Sequence, residues 1–291
     1  MSTSSPDSSH SSRPLPPEGY AEESFSEGDE HAEGRTADHA EQHTEENTPP
    51  PHRRRGIYLL PNLLTTGALF GGFYAILSAM SGRFEAAAVA IFVAMLFDGL
   101  DGRVARMTNT QSAFGVQYDS LSDMVSFGVA PAILAYSWAI HELGKLGWAA
   151  AFIYASCAAL RLARFNTMVG LVDKRYFIGL ASPAAAAVVA GMVWTGSRLE
   201  PGIGLAIIAG VITSIVGILM VSNIRYNSFK DLDLRGRVPF MAMLAIAMGF
   251  VVIMTDPPRM LFLLALGYAV SGPLLELLRR IRRDRAGATR S

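Results

Sequence analysis

Between residues 57 and 278 the sequence is a succession of apolar runs, each close to 20 residues long and separated by short polar connections. A helix of about 20 apolar residues, rising about 1.5 Å per residue, crosses a hydrocarbon core about 30 Å thick. In lipid the backbone has no water to bond, so its polar groups must be satisfied within the protein. Eight spans are expected on that measure, at about 57–80, 85–107, 116–140, 147–168, 181–199, 203–222, 238–255 and 259–278. The fold class is therefore all-α: a polytopic membrane helical bundle of about eight transmembrane helices, preceded by a disordered N-terminal tail. Small residues crowd several spans, as in Ala86 to Ala90, Ala184 to Ala187 and the Gly71-Gly72 pair, and allow close helix packing.

The tail is a different kind of sequence. Its first fifty residues hold twelve Asp or Glu against Arg13 and Arg35, with Tyr20 and Phe25 as the only aromatics. Such a segment buries too little apolar area to offset chain entropy, so residues 1–52 read as a disordered acidic cytoplasmic tail. The remainder carries 23 Lys or Arg against 13 Asp or Glu, so the formal net charge of zero is a cancellation and excludes no partner. The start lacks a basic segment followed by an apolar run, so no signal peptide is expected. His10, His31, His39, His43 and His52 are spaced irregularly, which suits a solvated segment better than a metal site. Cys157, the single cysteine, lies in an apolar helix and is expected as a buried structural thiol.

Lys and Arg favour the cytoplasmic side of short loops. If the first span begins inside, nineteen of them fall inside, from Arg53 to Arg55 through Arg290, and only Arg83, Lys145, Arg198 and Arg259 fall outside. Both termini are then cytoplasmic, in a cell (inner) membrane protein. The RRIRRDR run from Arg279 to Arg285 leads into a basic C-terminal tail, residues 281–291, suited to anionic lipid rather than to nucleic acid.

Four aspartates break the apolar pattern of spans two and three. A charge near the bilayer centre costs at least about 2.5 to 3.5 kcal/mol and usually faces an interior site with a partner. Asp98 and Asp101 lie three apart and Asp119 and Asp123 four apart, so each pair shares one helical face. Four converging carboxylates repel unless a cation sits among them, and only Arg103 and Arg106 lie within the same stretch. A divalent ion answers that imbalance, and an all-oxygen donor set favours Mg²⁺ or Mn²⁺ without separating the two. Gly102 and Ala105 remove bulk beside the aspartates, where a pyrophosphate or a base can approach. Arg106 suits a phosphate oxygen or, alternatively, a snorkelling anchor, and Gly115 suits a close turn into the third span.

The residues Asp98 to Asp123 read D-x-x-D-G-x-x-A-R, eight residues, then G-x-x-x-D-x-x-x-D. This pattern resembles the motif of the CDP-alcohol phosphotransferase family at every fixed position. The flanks PNLLTTGALFGGFYAI (61–76), SDMVSFGVAPA (122–132), RLARFN (161–166) and GLASPAAA (179–186) are similar to the integral-membrane phosphatidylserine synthases within it. The resemblance spans roughly residues 56–280, so that 53–280 reads as the catalytic transmembrane domain.

The resemblance implies metal-dependent transfer of a phosphatidyl group from CDP-diacylglycerol to the hydroxyl of L-serine, giving phosphatidylserine and CMP. It implies two Mg²⁺ or Mn²⁺ ions held by Asp98, Asp101, Asp119 and Asp123, with Asp123 also the general base. Spacing alone does not divide base and ligand roles between Asp119 and Asp123. CDP-lipid contacts are implied for Asn62, Thr65, Gly102, Ala105, Arg106 and Gly115, although Asn62 and Thr65 equally suit a helix start after Pro61. For the acceptor, Arg161, Arg164 and Asn166 are candidates, with positive-inside anchoring as the competing role of the arginines. A homodimer is implied as well. Glycerol 3-phosphate or inositol phosphate as acceptor would use the same motif. A cation-coupled transporter would need helices broken near the midplane and an internal repeat, yet the sequence has no second DxxDG half.

Overall fold

The computed structural model describes residues 59–108, 110, 112–168, 176–227 and 240–288. The acidic tail, Arg53 to Arg55, the end of the basic C-terminal segment and most of the connections at 169–175 and 228–239 lie outside the described residues.

The described residues form eight helical rods, as the apolar runs imply. The first two, α1 (Leu59–Met80) and α2 (Phe84–Met107), form a tightly packed pair. The third rod is composite: α3 (Ala113–Asp123) passes without a break through a π-helical segment, Met124–Val129, into α4 (Ala130–Trp138). A 3₁₀ turn at Ile140–Leu143 leads to α5 (Lys145–Met168). Then follow α6 (Ser182–Gly196), α7 (Ile203–Val221), α8 (Phe240–Thr255) and α9 (Pro257–Ala288). Two three-residue strands, β1 (Tyr176–Ile178) and β2 (Arg225–Asn227), pair antiparallel with Phe177 opposite Tyr226. Strands this short carry no periodic signal and were not foreseen in the sequence.

The π segment has a local cause. Pro131 has no N–H to give its i−4 carbonyl and its ring crowds that position. The carbonyl so released is that of Phe127, and it accepts instead from the hydroxyl of Tyr154 on α5 at 3.0 Å. One π turn, with the Ala130 N–H reaching back to Val125, absorbs the mismatch inside a continuous rod.

By length and apolarity alone, α1, α5, α7 and the Pro257–Arg279 part of α9 are fit to cross a membrane. The rod containing α2 fails that test because it carries the aspartates. At 15 residues α6 reaches only about 22 Å, but it lies inside the bundle against α2, α4, α7 and α9, and most of its length is buried. A helix enclosed by protein need not reach the lipid headgroups. Its glycines allow this: a Cβ on Gly191 would stand 2.9 Å from the Cα of Phe262 on α9. Outward-facing side chains such as Phe70, Leu96 and Leu146 are large and exposed, as lipid contact requires. The last span, expected to end near 278, continues as helix through the basic run to Ala288, since arginine favours helix.

Candidate active site

The C-terminal part of α2 and the C-terminal half of α3 meet beside the start of α1. One carboxylate oxygen each from Asp98, Asp119 and Asp123 lies within 4.8 Å of the others. Like charges at that range repel by roughly 3 to 4 kcal/mol per pair at an effective dielectric near 20. The ion pairs seen among the described residues, such as His141 with Glu142 and Arg259 with Asp256, do not involve these aspartates. The Arg161 guanidinium is the cation whose field reaches Asp98 and Asp123. Three oxygens converging from two helices, all half-buried, fit a hard divalent ion, whose ligands at about 2.1 Å stand about 3 to 4 Å apart.

Asp101 is placed differently. It is 5% exposed, and its Oδ2 accepts from the Thr65 hydroxyl at 2.8 Å, with the Pro61 carbonyl 3.1 Å from the same hydroxyl. Thr65, read in the sequence as either a helix-start residue or a nucleotide contact, is therefore first of all a partner of Asp101. Beside these carboxylates the surface of α2 is open: a Cβ on Gly99 or Gly102 would meet no atom within 4 Å. Ala105 is half-buried, and Arg103 and Arg106 are exposed at the same end.

Gly115 sits in the first turn of α3, where its N–H donates to the Ser112 hydroxyl, the N-cap, at 3.0 Å. A side chain there would crowd Ser112 Oγ at 3.1 Å and approach Asn62 Oδ1 at 3.5 Å, so Gly115 lets α1 and α3 converge at the site. Two serines absent from the sequence-based assignment hold the α3 rod against α1. Ser122 donates to the Thr65 carbonyl at 3.1 Å and Ser126 to the Ala68 carbonyl at 2.9 Å. Opposite Ser126, a Cβ on Gly72 would be only 2.7 Å from the Ser126 Cα, so glycine is required for that approach. The available signal was the i, i+4 spacing of Ser122 and Ser126 in an otherwise apolar span.

The three acceptor candidates on α5 separate. Arg161 Nη1 donates to the Ser182 hydroxyl at the start of α6 at 2.6 Å. Arg164 turns to the end of α7, donating to the Val221 carbonyl at 3.4 Å and to Asn223 Oδ1 at 2.9 Å. Asn166 pairs with the Ser120 hydroxyl at 3.0 Å, next in sequence to Asp119. Arg161 thus acts on Asp98 and Asp123 by its charge, Asn166 reaches α3 through Ser120, and Arg164 bonds the end of α7. The lone Cys157 is half-buried rather than fully enclosed.

Residues 58–222 match the CDP-alcohol phosphatidyltransferase family, a region that includes the four aspartates. The chain is 37% identical over 198 residues to a CDP-diacylglycerol–serine O-phosphatidyltransferase of Helicobacter pylori, covering 67% of this chain and 83% of that protein. It is 34% identical over 194 residues to a protein of the same name from Methanocaldococcus jannaschii, covering 67% and 84%. A crystal structure of phosphatidylinositol phosphate synthase from Mycobacterium tuberculosis with CDP-DAG bound is similar over 57% of this chain and 80% of that one, at 22% identity and a TM-score of 0.43. At that distance the likeness says nothing about individual residues. A match over more than half the chain, which includes the carboxylates that the fold brings together, places this membrane enzyme in the CDP-alcohol phosphatidyltransferase family.

Proposed function

We propose that the protein transfers the phosphatidyl group of CDP-diacylglycerol to the hydroxyl of L-serine, releasing CMP, at the cytoplasmic face of the cell (inner) membrane. The convergence of Asp98, Asp119 and Asp123 from two adjacent helices carries the chemical part of this reading. The choice of serine is supported by the names of the relatives and by the flanking segments. The side of the membrane is supported by the arginines: Arg103, Arg106, Arg161 and Arg164 lie at the aspartate end, while Arg83, Lys145, Arg198 and Arg259 belong to the opposite connections.

In the proposed reaction the serine hydroxyl oxygen attacks the phosphorus that bears diacylglycerol. The bond from that phosphorus to the oxygen of CMP breaks, and CMP leaves with the electron pair. Asp123 accepts the hydroxyl proton. One or two divalent ions would be held by Asp98, Asp101, Asp119 and Asp123, and when bound supply charge neutralisation for the pyrophosphate and the departing CMP. Thr65 keeps Asp101 oriented through its 2.8 Å hydrogen bond. The open face at Gly102 leaves room for the nucleotide part, with Ala105 beside it, Arg106 close enough in sequence to reach a phosphate, and Asn62 and Gly115 forming the adjoining wall. The acceptor enters where Arg161 and Asn166 lie.

Purified protein in lipid, given CDP-diacylglycerol with L-serine, glycerol 3-phosphate or inositol phosphate in parallel, tests the acceptor. CMP release dependent on L-serine, with phosphatidylserine as the product, is the expected result. Release that follows only a phosphorylated acceptor contradicts it.

A further inference from the structure

Arg161 and Arg164 lie three apart on α5, yet the fold gives them different tasks. Arg164 is committed to the end of α7, where Val221 is the last helical residue and its carbonyl would otherwise lack a partner. Arg161 is incompletely satisfied. Its Nη1 is held by Ser182, but its Nε is buried and has no hydrogen-bond partner. A buried donor without a partner costs roughly 1 to 3 kcal/mol, and more when charged, so it calls for an explanation.

The surroundings supply one. The Arg161 guanidinium shares its field with Asp98, Asp123, Tyr154 and Tyr268. Tyr154 is itself fixed, its hydroxyl spent on the Phe127 carbonyl released by Pro131. Anchored through Nη1, the guanidinium leaves its Nε without a protein partner, and the Nε edge is the planar fork that matches a carboxylate. Asp123, the proposed base, stands within reach of the same charge. In L-serine only two carbons separate the hydroxyl carbon from the carboxylate oxygens, so the group that takes the hydroxyl proton and the group that holds the carboxylate must be close neighbours.

We infer that the Nε edge of Arg161, anchored by Ser182, receives the carboxylate of the acceptor and selects acceptors that carry a free carboxylate, whereas Arg164 is a structural clamp on α7. This rests on the serine reading given above and adds to it the residue that recognises the acid group.

The experiment compares L-serine with L-serine methyl ester, which keeps the hydroxyl and amine but has no carboxylate, using full-length protein in lipid. CMP release and the KM for CDP-diacylglycerol are measured for wild type, Arg161→Lys, Arg164→Lys and Ser182→Ala. Wild type should prefer serine over the ester. Arg161→Lys should lose about 100-fold in kcat/KM for serine and under threefold for the ester, with the KM for CDP-diacylglycerol unchanged. Ser182→Ala, which leaves the guanidinium present but unanchored, should raise the KM for serine several-fold with little change in kcat. Arg164→Lys should retain the preference. Equal losses with serine and ester in Arg161→Lys overturn the inference, as does erasure of the preference by Arg164→Lys alone. Should Arg161→Lys fail to fold, Ser182→Ala decides: an unchanged KM for serine overturns the inference. Absence of any serine-dependent CMP release by wild type would instead overturn the serine reading itself.

Discussion

Replacing Asp123 by asparagine should lower serine-dependent CMP release by about 10² to 10⁴-fold while leaving CDP-diacylglycerol bound. The substitution keeps the shape of the side chain and removes its capacity to take a proton. Asp123 is the last residue of α3, immediately before the π segment, and belongs to the carboxylate group while lying within the field of Arg161. Parallel measurement of turnover and of CDP-diacylglycerol affinity checks the expected loss. A fall in affinity that accounts for the whole loss would make Asp123 a binding residue instead of the base.

Asp98→Asn should act on the ion and on the fold in opposite directions. In wild type, Mg²⁺ or Mn²⁺ should raise the thermal midpoint, because a ligand at 100 times its Kd stabilises the folded state by about 2.7 kcal/mol. Removing one of three carboxylates gathered within 4.8 Å deletes two repulsive pairs, so the ion-free variant should be at least as stable as the ion-free wild type. Its midpoint should no longer respond to the ion, and its turnover should fall by at least about 100-fold, since one acid is missing from the group that would hold the ion. Thermal unfolding with and without added ion distinguishes the two effects. A variant that is less stable without the ion and still responds to it would show that Asp98 is structural.

Much of this architecture is legible in the amino-acid sequence because both signals are local. Apolar runs of about 20 residues define the spans, and the three- and four-residue separations of the aspartates put each pair on one face. That the two pairs meet depends on α2 and α3 both leaning on α1, which no periodicity encodes; repulsion alone hinted at it. What escaped the sequence is mostly long-range. Thr65 bonds Asp101 across 36 residues, and Ser122 and Ser126 bond α1 across 57 and 58. Arg161 and Arg164 are indistinguishable by composition and spacing, yet one faces Ser182 and the other the end of α7. The π segment could be suspected from Pro131 inside an apolar span, but its resolution required the hydroxyl of Tyr154 from another helix. The shortness of α6 reflects its enclosure by four neighbours, a tertiary fact, and its alanines record only that neighbours come close.

The central claim is that the aspartates of α2 and α3 form an ion-dependent site for phosphatidyl transfer. CMP release from CDP-diacylglycerol and L-serine, measured on purified protein after exhaustive chelation and again after return of Mg²⁺ or Mn²⁺, tests it most directly. The account predicts no release after chelation and recovery with either ion or both. Undiminished serine-dependent release in the chelated protein would contradict it.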